Sequence, residues 1–185
     1  MSFTEQYKSD LLKAIDSIDL SQVESAIDWF KETRAANGHI FVCGNGGSAS
    51  TASHFMCDIV KGASFKRDSR FRIMALTDSL ATITAYSNDV NYDCVFEEQL
   101  KNFAKPGDLV MAISGSGNSP NVLRAVEYAN SIGCKTLALT GRDGGKLGAM
   151  AQKNIQVPVP HMGRIEDGHM IVCHMIAYYF MDTER

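Results

Sequence analysis

The 185-residue sequence predicts an α/β protein: a single domain with a five-stranded parallel sheet flanked by helices, preceded by a helical hairpin. Three observations predict it. Five apolar runs of strand length recur, HIFVC (39–43), RIMAL (72–76), LVMAI (109–113), TLALT (136–140) and IQVPV (155–159). Helical stretches lie between them, at about 48–62, 79–87, 91–103 and 119–132, and such alternation implies right-handed crossovers. The runs are apolar almost throughout, as in a sheet covered on both faces.

Taken in order, residues 4–36 have helical periodicity. Leu11, Leu12, Ile15 and Ile18 form one stripe, and Val23, Ile27, Phe30 and Trp29 a second. Ser21 precedes Glu24 by three, the spacing of a capping box, and Asn37-Gly38 reads as a helix stop. Residues 1–38 are therefore expected to form an αα-hairpin belonging to the same domain as the α/β unit at 39–185. Pro158 and Pro160 place the fifth strand at a sheet edge, because proline cannot donate to a ladder. The last segment, 164–183, reads as a helix with Ile165, Val172, Met175, Ile176 and Phe180 on its apolar side.

Composition narrows the function. A net charge of −3 gives no basic footprint for nucleic acid. Cys43, Cys57, Cys94, Cys134 and Cys173 include no C-x-x-C pair and read as buried free thiols of a reducing compartment. The N-terminus MSFTEQYKSDLL has no apolar signal-peptide region, and no run approaches the length of a membrane span. A cytoplasmic protein is expected.

Two loops stand out, Gly44-Asn45-Gly46-Gly47-Ser48 after the first strand and Ser114-Gly115-Ser116-Gly117-Asn118-Ser119 after the third. Each should lie beyond the carboxyl end of its strand, where α/β sheets bind ligands, and each opens a helix whose free N–H groups attract anions. Three serines in six residues are more than a turn needs, so Ser114, Ser116 and Ser119 are read as ringing a phosphate. The first loop would then hold the polar body of the same ligand. A dinucleotide reading also exists, since Gly44, Gly46 and Ala49 satisfy G-x-G-x-x-A. Asp78, its ribose acceptor, lies over 30 residues from the loop rather than about 20.

His54 and Asp58, four apart on the helix after the first loop, share a face. Glu166, His169 and His174 lie on the last helix. His169 is read as a partner or packing residue, and His39 and His161 as structural. The run Lys61, Lys66, Arg67, Arg70 and Arg72 is read as a solvated basic loop.

The segments GNGGS, HF (54–55), ND (88–89), GD (107–108), SGSGNS, LTGRDGGK and RI…H…H (164–174) resemble the sugar isomerase (SIS) family, and within it the phosphoheptose isomerases. The resemblance covers residues 44–174 and the N-terminal hairpin. It implies conversion of sedoheptulose 7-phosphate to D-glycero-D-manno-heptose 7-phosphate for the heptose of cell-surface polysaccharide. It implies zinc, or another divalent metal, held by His54, Asp58, Glu166 and His174, with Asp58 and His174 catalytic. Asn45, Gly46, Gly47, Ser48, Asn88, Asp89, Ser114, Gly115, Ser116, Ser119 and Glu166 would bind substrate. Two positions depart from the family: Asp58 stands where it has glutamate, and Glu166 where it has glutamine. A homotetramer is implied, with sites at subunit interfaces. Glu166 and His174 are eight residues apart, about 12 Å along a straight helix, so they are expected to reach one metal only from different chains. The alternative is a non-catalytic SIS module that binds a phosphosugar or a protein partner, as a bacterial replication-initiation factor does.

Overall fold

The computed structural model describes residues 1–184. The elements run α1 (Phe3–Asp16), α2 (Leu20–Ala35), β1 (His39–Gly44), α3 (Gly47–Cys57), β2 (Arg72–Ala75), α4 (Leu80–Asp89), α5 (Glu97–Phe103), β3 (Leu109–Ser114), α6 (Pro120–Ser131), β4 (Lys135–Gly141), α7 (Gly145–Met150), β5 (Lys153–Val157) and α8 (Met162–Thr183). One π turn, Asp58–Ala63, continues α3, and short 3-10 turns cover Leu76–Asp78 and Tyr92–Cys94.

All five strands pair in parallel, in the order β2-β1-β3-β4-β5. Side chains of one strand alternate between two cores. Ile40, Val42, Leu109, Met111 and Ile113 pack with α1, α2, α3 and α8. Phe41, Cys43, Val110 and Ala112 pack with α4, α5, α6 and α7. This double burial is why the strands read as continuous apolar runs. The strand order reverses between β1 and β3. The chain leaves β1 for α3 on one face and leaves β3 for α6 on the other, which opens a crevice at the carboxyl end.

Several expected details shift. The reciprocal capping box is at Ser2 and Glu5, where the Glu5 N–H donates to Ser2 Oγ (3.3 Å) and the Ser2 N–H to Glu5 Oε2 (2.7 Å). Ser21 is inside α2, because Asp19 precedes it and caps the helix, accepting from the Ser21 N–H at 2.9 Å. The α2 stop is a Schellman motif. Asn37, not glycine, takes the left-handed conformation (φ 52), and the Gly38 N–H donates to the Thr33 carbonyl (2.9 Å). β5 is an edge strand, yet it ends at Val157 and starts two residues earlier than the apolar run, since Pro158 has no N–H for the ladder. α7 was not expected. It is a six-residue helix in a glycine-rich segment with only Leu147 buried.

Leu12 of the first stripe is 54% exposed, and Leu20 and Phe3 are exposed with it. α4 buries none of its residues. Of the cysteines, Cys43, Cys94, Cys134 and Cys173 are buried and free, whereas Cys57 is exposed on α3. Burial pushes the Cys43 thiol up to about 12, so it stays protonated and inert. No helix among the described residues is long and apolar enough to cross a membrane.

Candidate active site

The two loops meet at the crevice. Asn45, Gly46, Gly47, Ser48, Ser114, Gly115, Ser116 and Ser119 line one cleft of about 280 Å³, closed from α8 by Met162 and Glu166. Ser114 Oγ lies 3.5 Å from Ser116 Oγ and 3.4 Å from Ser119 Oγ, so the three hydroxyls form one cluster. Ser114 Oγ also accepts from the Gly117 N–H at 3.2 Å, and Ser116 Oγ from the Asn118 N–H at 3.2 Å. These bonds fix the hydroxyl oxygens and leave their protons to donate to an anion. α7 braces the loop from behind, its Leu147 N–H donating to the Gly117 carbonyl at 2.9 Å.

Ser116→Ala is expected to weaken binding of a sugar phosphate by about 1.5–3 kcal/mol, the worth of a hydrogen bond to a charged group. Calorimetry with a phosphosugar checks it. Unchanged affinity in Ser116→Ala, Ser114→Ala and Ser119→Ala alike would remove the loop from the site.

The side chain of Asn45 is engaged within the protein. Its amide exchanges hydrogen bonds with that of Asn121, at 2.9 Å each way, and its Oδ1 also accepts from the Tyr92 hydroxyl (2.8 Å). Sequence reasoning missed Asn121 and Tyr92. The signal is the cross-loop pairing, which a partner 76 residues away hides.

A second cluster stands further along the same two helices. His54 Nε2 of α3 and His174 Nε2 of α8 are 3.2 Å apart. Asp58 Oδ2 lies 3.3 Å from the first nitrogen and 3.7 Å from the second. That oxygen is buried and makes no hydrogen bond. Asp58 opens the π turn after α3, and such wide turns re-aim side chains at functional sites. Two imidazole nitrogens and an orphaned carboxylate oxygen converging on one point form an N/O donor set that fits a divalent metal such as zinc.

Other expected groupings do not assemble within one chain. Glu166 is not with the His54–Asp58–His174 cluster but in the loop cleft, its carboxylate beside Gly47, where a Cβ would come within 2.7 Å of Oε1. His174 joins His54 and Asp58 from its own chain, while Glu166 of that chain does not reach them. The eight-residue spacing separates Glu166 from the cluster. Asn88 and Asp89 are exposed at the end of α4, hydrogen-bonded to each other (2.8 Å), and do not line the cleft.

His169 is a packing residue. It is buried, and its Nε2 lies 2.9 Å from the Thr140 carbonyl at the end of β4. That contact makes Nε2 the protonated nitrogen, because a carbonyl only accepts. Burial pushes the imidazole down to about 4 from 6.5. The unfolded chain therefore binds a proton between these values that the folded chain refuses, so stability rises with pH across the window and falls on acidification. From pH 7 to pH 4.5 the fold should lose about 2–3 kcal/mol from this residue, measured by urea unfolding. The loss should shrink in His169→Gln, which keeps a donor and cannot titrate. His161 is the N-cap residue of α8 and packs edge-on against Tyr7, and His39 starts β1.

Comparison with known proteins agrees with this architecture. A family model described as "SIS domain" matches residues 3–141. A probable phosphoheptose isomerase of Thermoplasma volcanium is 43% identical over 165 residues, covering 89% of this chain and 84% of its own. A phosphoheptose isomerase of Aliarcobacter butzleri is 38% identical, covering 92% and 89%. The solved structure of phosphoheptose isomerase GmhA from Neisseria gonorrhoeae superposes with a TM-score of 0.88 at 31% identity, over 96% of each chain. The chain belongs to the SIS domain family, and within that family to the phosphoheptose isomerases.

Proposed function

We propose that this protein is an aldose–ketose isomerase acting on sedoheptulose 7-phosphate, feeding heptose biosynthesis. The observation that carries the reading is the pairing of a serine-ringed cleft with a His/Asp/His cluster on one side of the sheet end. α3 supplies both, with Ser48 at its first turn and His54 six residues on, about 9 Å along the helix. That span suits an extended sugar phosphate held by one end and worked on at the other.

Isomerisation moves a proton between adjacent carbons through an enediol. Asp58 takes the proton from carbon, and His174 serves the carbonyl oxygen as acid. His54, Asp58 and His174 would hold zinc, which would polarise that oxygen when bound, and the ligand and acid–base roles of Asp58 and His174 then compete. Ser114, Ser116 and Ser119 hold the phosphate with the backbone of Gly115, and the loop from Asn45 to Ser48 lines the sugar. Glu166 accepts from sugar hydroxyls where it lines the cleft.

Exposed Phe3, Leu12, Leu20 and Tyr178, with the unburied α4, support a homo-oligomer, a tetramer by family likeness, and the five free cysteines suit the reducing cytoplasm. In that assembly Asn88, Asp89 and a fourth metal ligand reach a site from neighbouring chains. Asp89→Ala and His174→Ala should then each be inactive, and co-expression should restore part of the activity. Proven hetero-oligomers as inactive as their parents would place each site within one chain.

Incubation with sedoheptulose 7-phosphate, followed by NMR, tests the reaction. The aldoheptose phosphate should accumulate. Saturable binding without any conversion would make the protein a phosphosugar-binding module instead.

A further inference from the structure

We infer that Asn121, assisted by Tyr92, is a positioning residue that clasps the two substrate loops into one rigid cleft. The inference rests on the proposed function for its kinetic readout, but the clasp itself stands on geometry.

Asn121 is the second residue of α6 and is 1% exposed. Its Oδ1 accepts from the Val122 N–H (3.0 Å) and from Asn45 Nδ2 (2.9 Å). The backbone donor fixes which end of the amide is oxygen, so Asn121 Nδ2 must donate to Asn45 Oδ1, also at 2.9 Å. Tyr92 donates to the same Oδ1 from the turn before α5. The first loop is thereby tied to the helix that the serine loop opens, across the β1/β3 crevice. Little backbone bonding bridges the loops there, since the β1–β3 ladder ends at Gly44 and Ile113 and the chain then turns to α3 and α6 on opposite faces. A reciprocal amide pair between buried Asn121 and half-buried Asn45 is well suited to the task. It is directional, it carries no charge to repel a phosphate, and loss of Asn45 leaves the Asn121 amide without its partner in the interior. Asn45 thus serves the site through its backbone and its tether, not through a free amide.

Asn121→Ala should raise KM for sedoheptulose 7-phosphate about tenfold, as expected for two neutral hydrogen bonds, while kcat changes less than about twofold. Zinc content should stay unchanged, because His54, Asp58 and His174 lie outside the clasp. In a double-mutant cycle, Asn45→Ala and Asn121→Ala combined should raise KM no further than either alone, since each breaks the same pair. Single effects that multiply in the double variant, or an Asn121→Ala enzyme with unchanged KM, would overturn the inference. Should Asn121→Ala fail to fold, Tyr92→Phe removes only a hydroxyl from a half-exposed ring and should still raise KM about threefold, and no rise would count against the clasp. Amide hydrogen exchange separates this inference from the proposed function, because it needs no substrate. In the unliganded protein, Asn121→Ala should speed exchange at Gly46–Ser48 and at Ser114–Gly117. Unaltered protection there would overturn the clasp, whatever the wild-type protein does with the heptulose phosphate.

Discussion

Asp58→Asn is expected to lower kcat by about 10²–10⁴-fold, the usual worth of a positioned general base. The substitution keeps the volume and the hydrogen-bonding outline of the side chain but removes its ability to take a proton. Asp58 Oδ2 is the buried oxygen without a hydrogen bond, 3.3 Å from His54 Nε2, so the lost charge also weakens the N/O donor set. Asp58→Glu should keep a measurable rate, since it returns a carboxylate one methylene further from the backbone. Progress curves by NMR at saturating substrate decide the matter. An Asp58→Asn protein that turns over at the wild-type rate would take Asp58 out of the reaction.

Gly117→Ala is expected to be the most damaging single-methyl change in the serine loop. Gly117 has φ +65, and a Cβ built there meets the Gly144 carbonyl oxygen at 2.1 Å. Backbone meets backbone, so neither side can yield by a rotamer change, and the segment leading into α7 must shift. A loss of about 2–4 kcal/mol in urea unfolding is expected, together with at least about a tenfold loss of phosphosugar affinity as the serine hydroxyls separate. Gly107→Ala is the control. Its φ is +88 but nothing lies within 4 Å of the added carbon, so only the backbone strain of about 1 kcal/mol remains. Equal effects at the two glycines would show that packing of α7 on the loop is irrelevant.

The fold was largely legible because its signals are local or periodic. Five apolar runs gave five strands, and double burial left no ambiguity about a parallel sheet. The edge position of β5 followed from two prolines. α7 was hidden because it buries a single side chain, Leu147, and is held by a loop remote in sequence. The displaced capping box shows how a correct spacing at Ser21 and Glu24 loses to a better cap two residues upstream.

The candidate site was legible where its residues are close in sequence. The serine cluster and the His54–Asp58 pair follow from spacing on one loop and one helix. The partition of α8 was not legible. Its rise separates Glu166 from His174, but only the packing of α8 on α3 tells which of the two joins Asp58. The clasp of Asn45 and Asn121 was equally hidden, because a reciprocal amide pair has no sequence signature.

The central claim is that the His54–Asp58–His174 cluster carries a metal-assisted isomerisation. Its most direct test is turnover of one sample of sedoheptulose 7-phosphate before chelation, after chelation to a metal-free protein, and after zinc is restored. Metal binding depends on deprotonated ligands and is reversible, so the account predicts activity, loss and recovery, with recovery absent in His54→Ala. Full-rate isomerisation by a protein shown to be metal-free, with chelator still present, would contradict it.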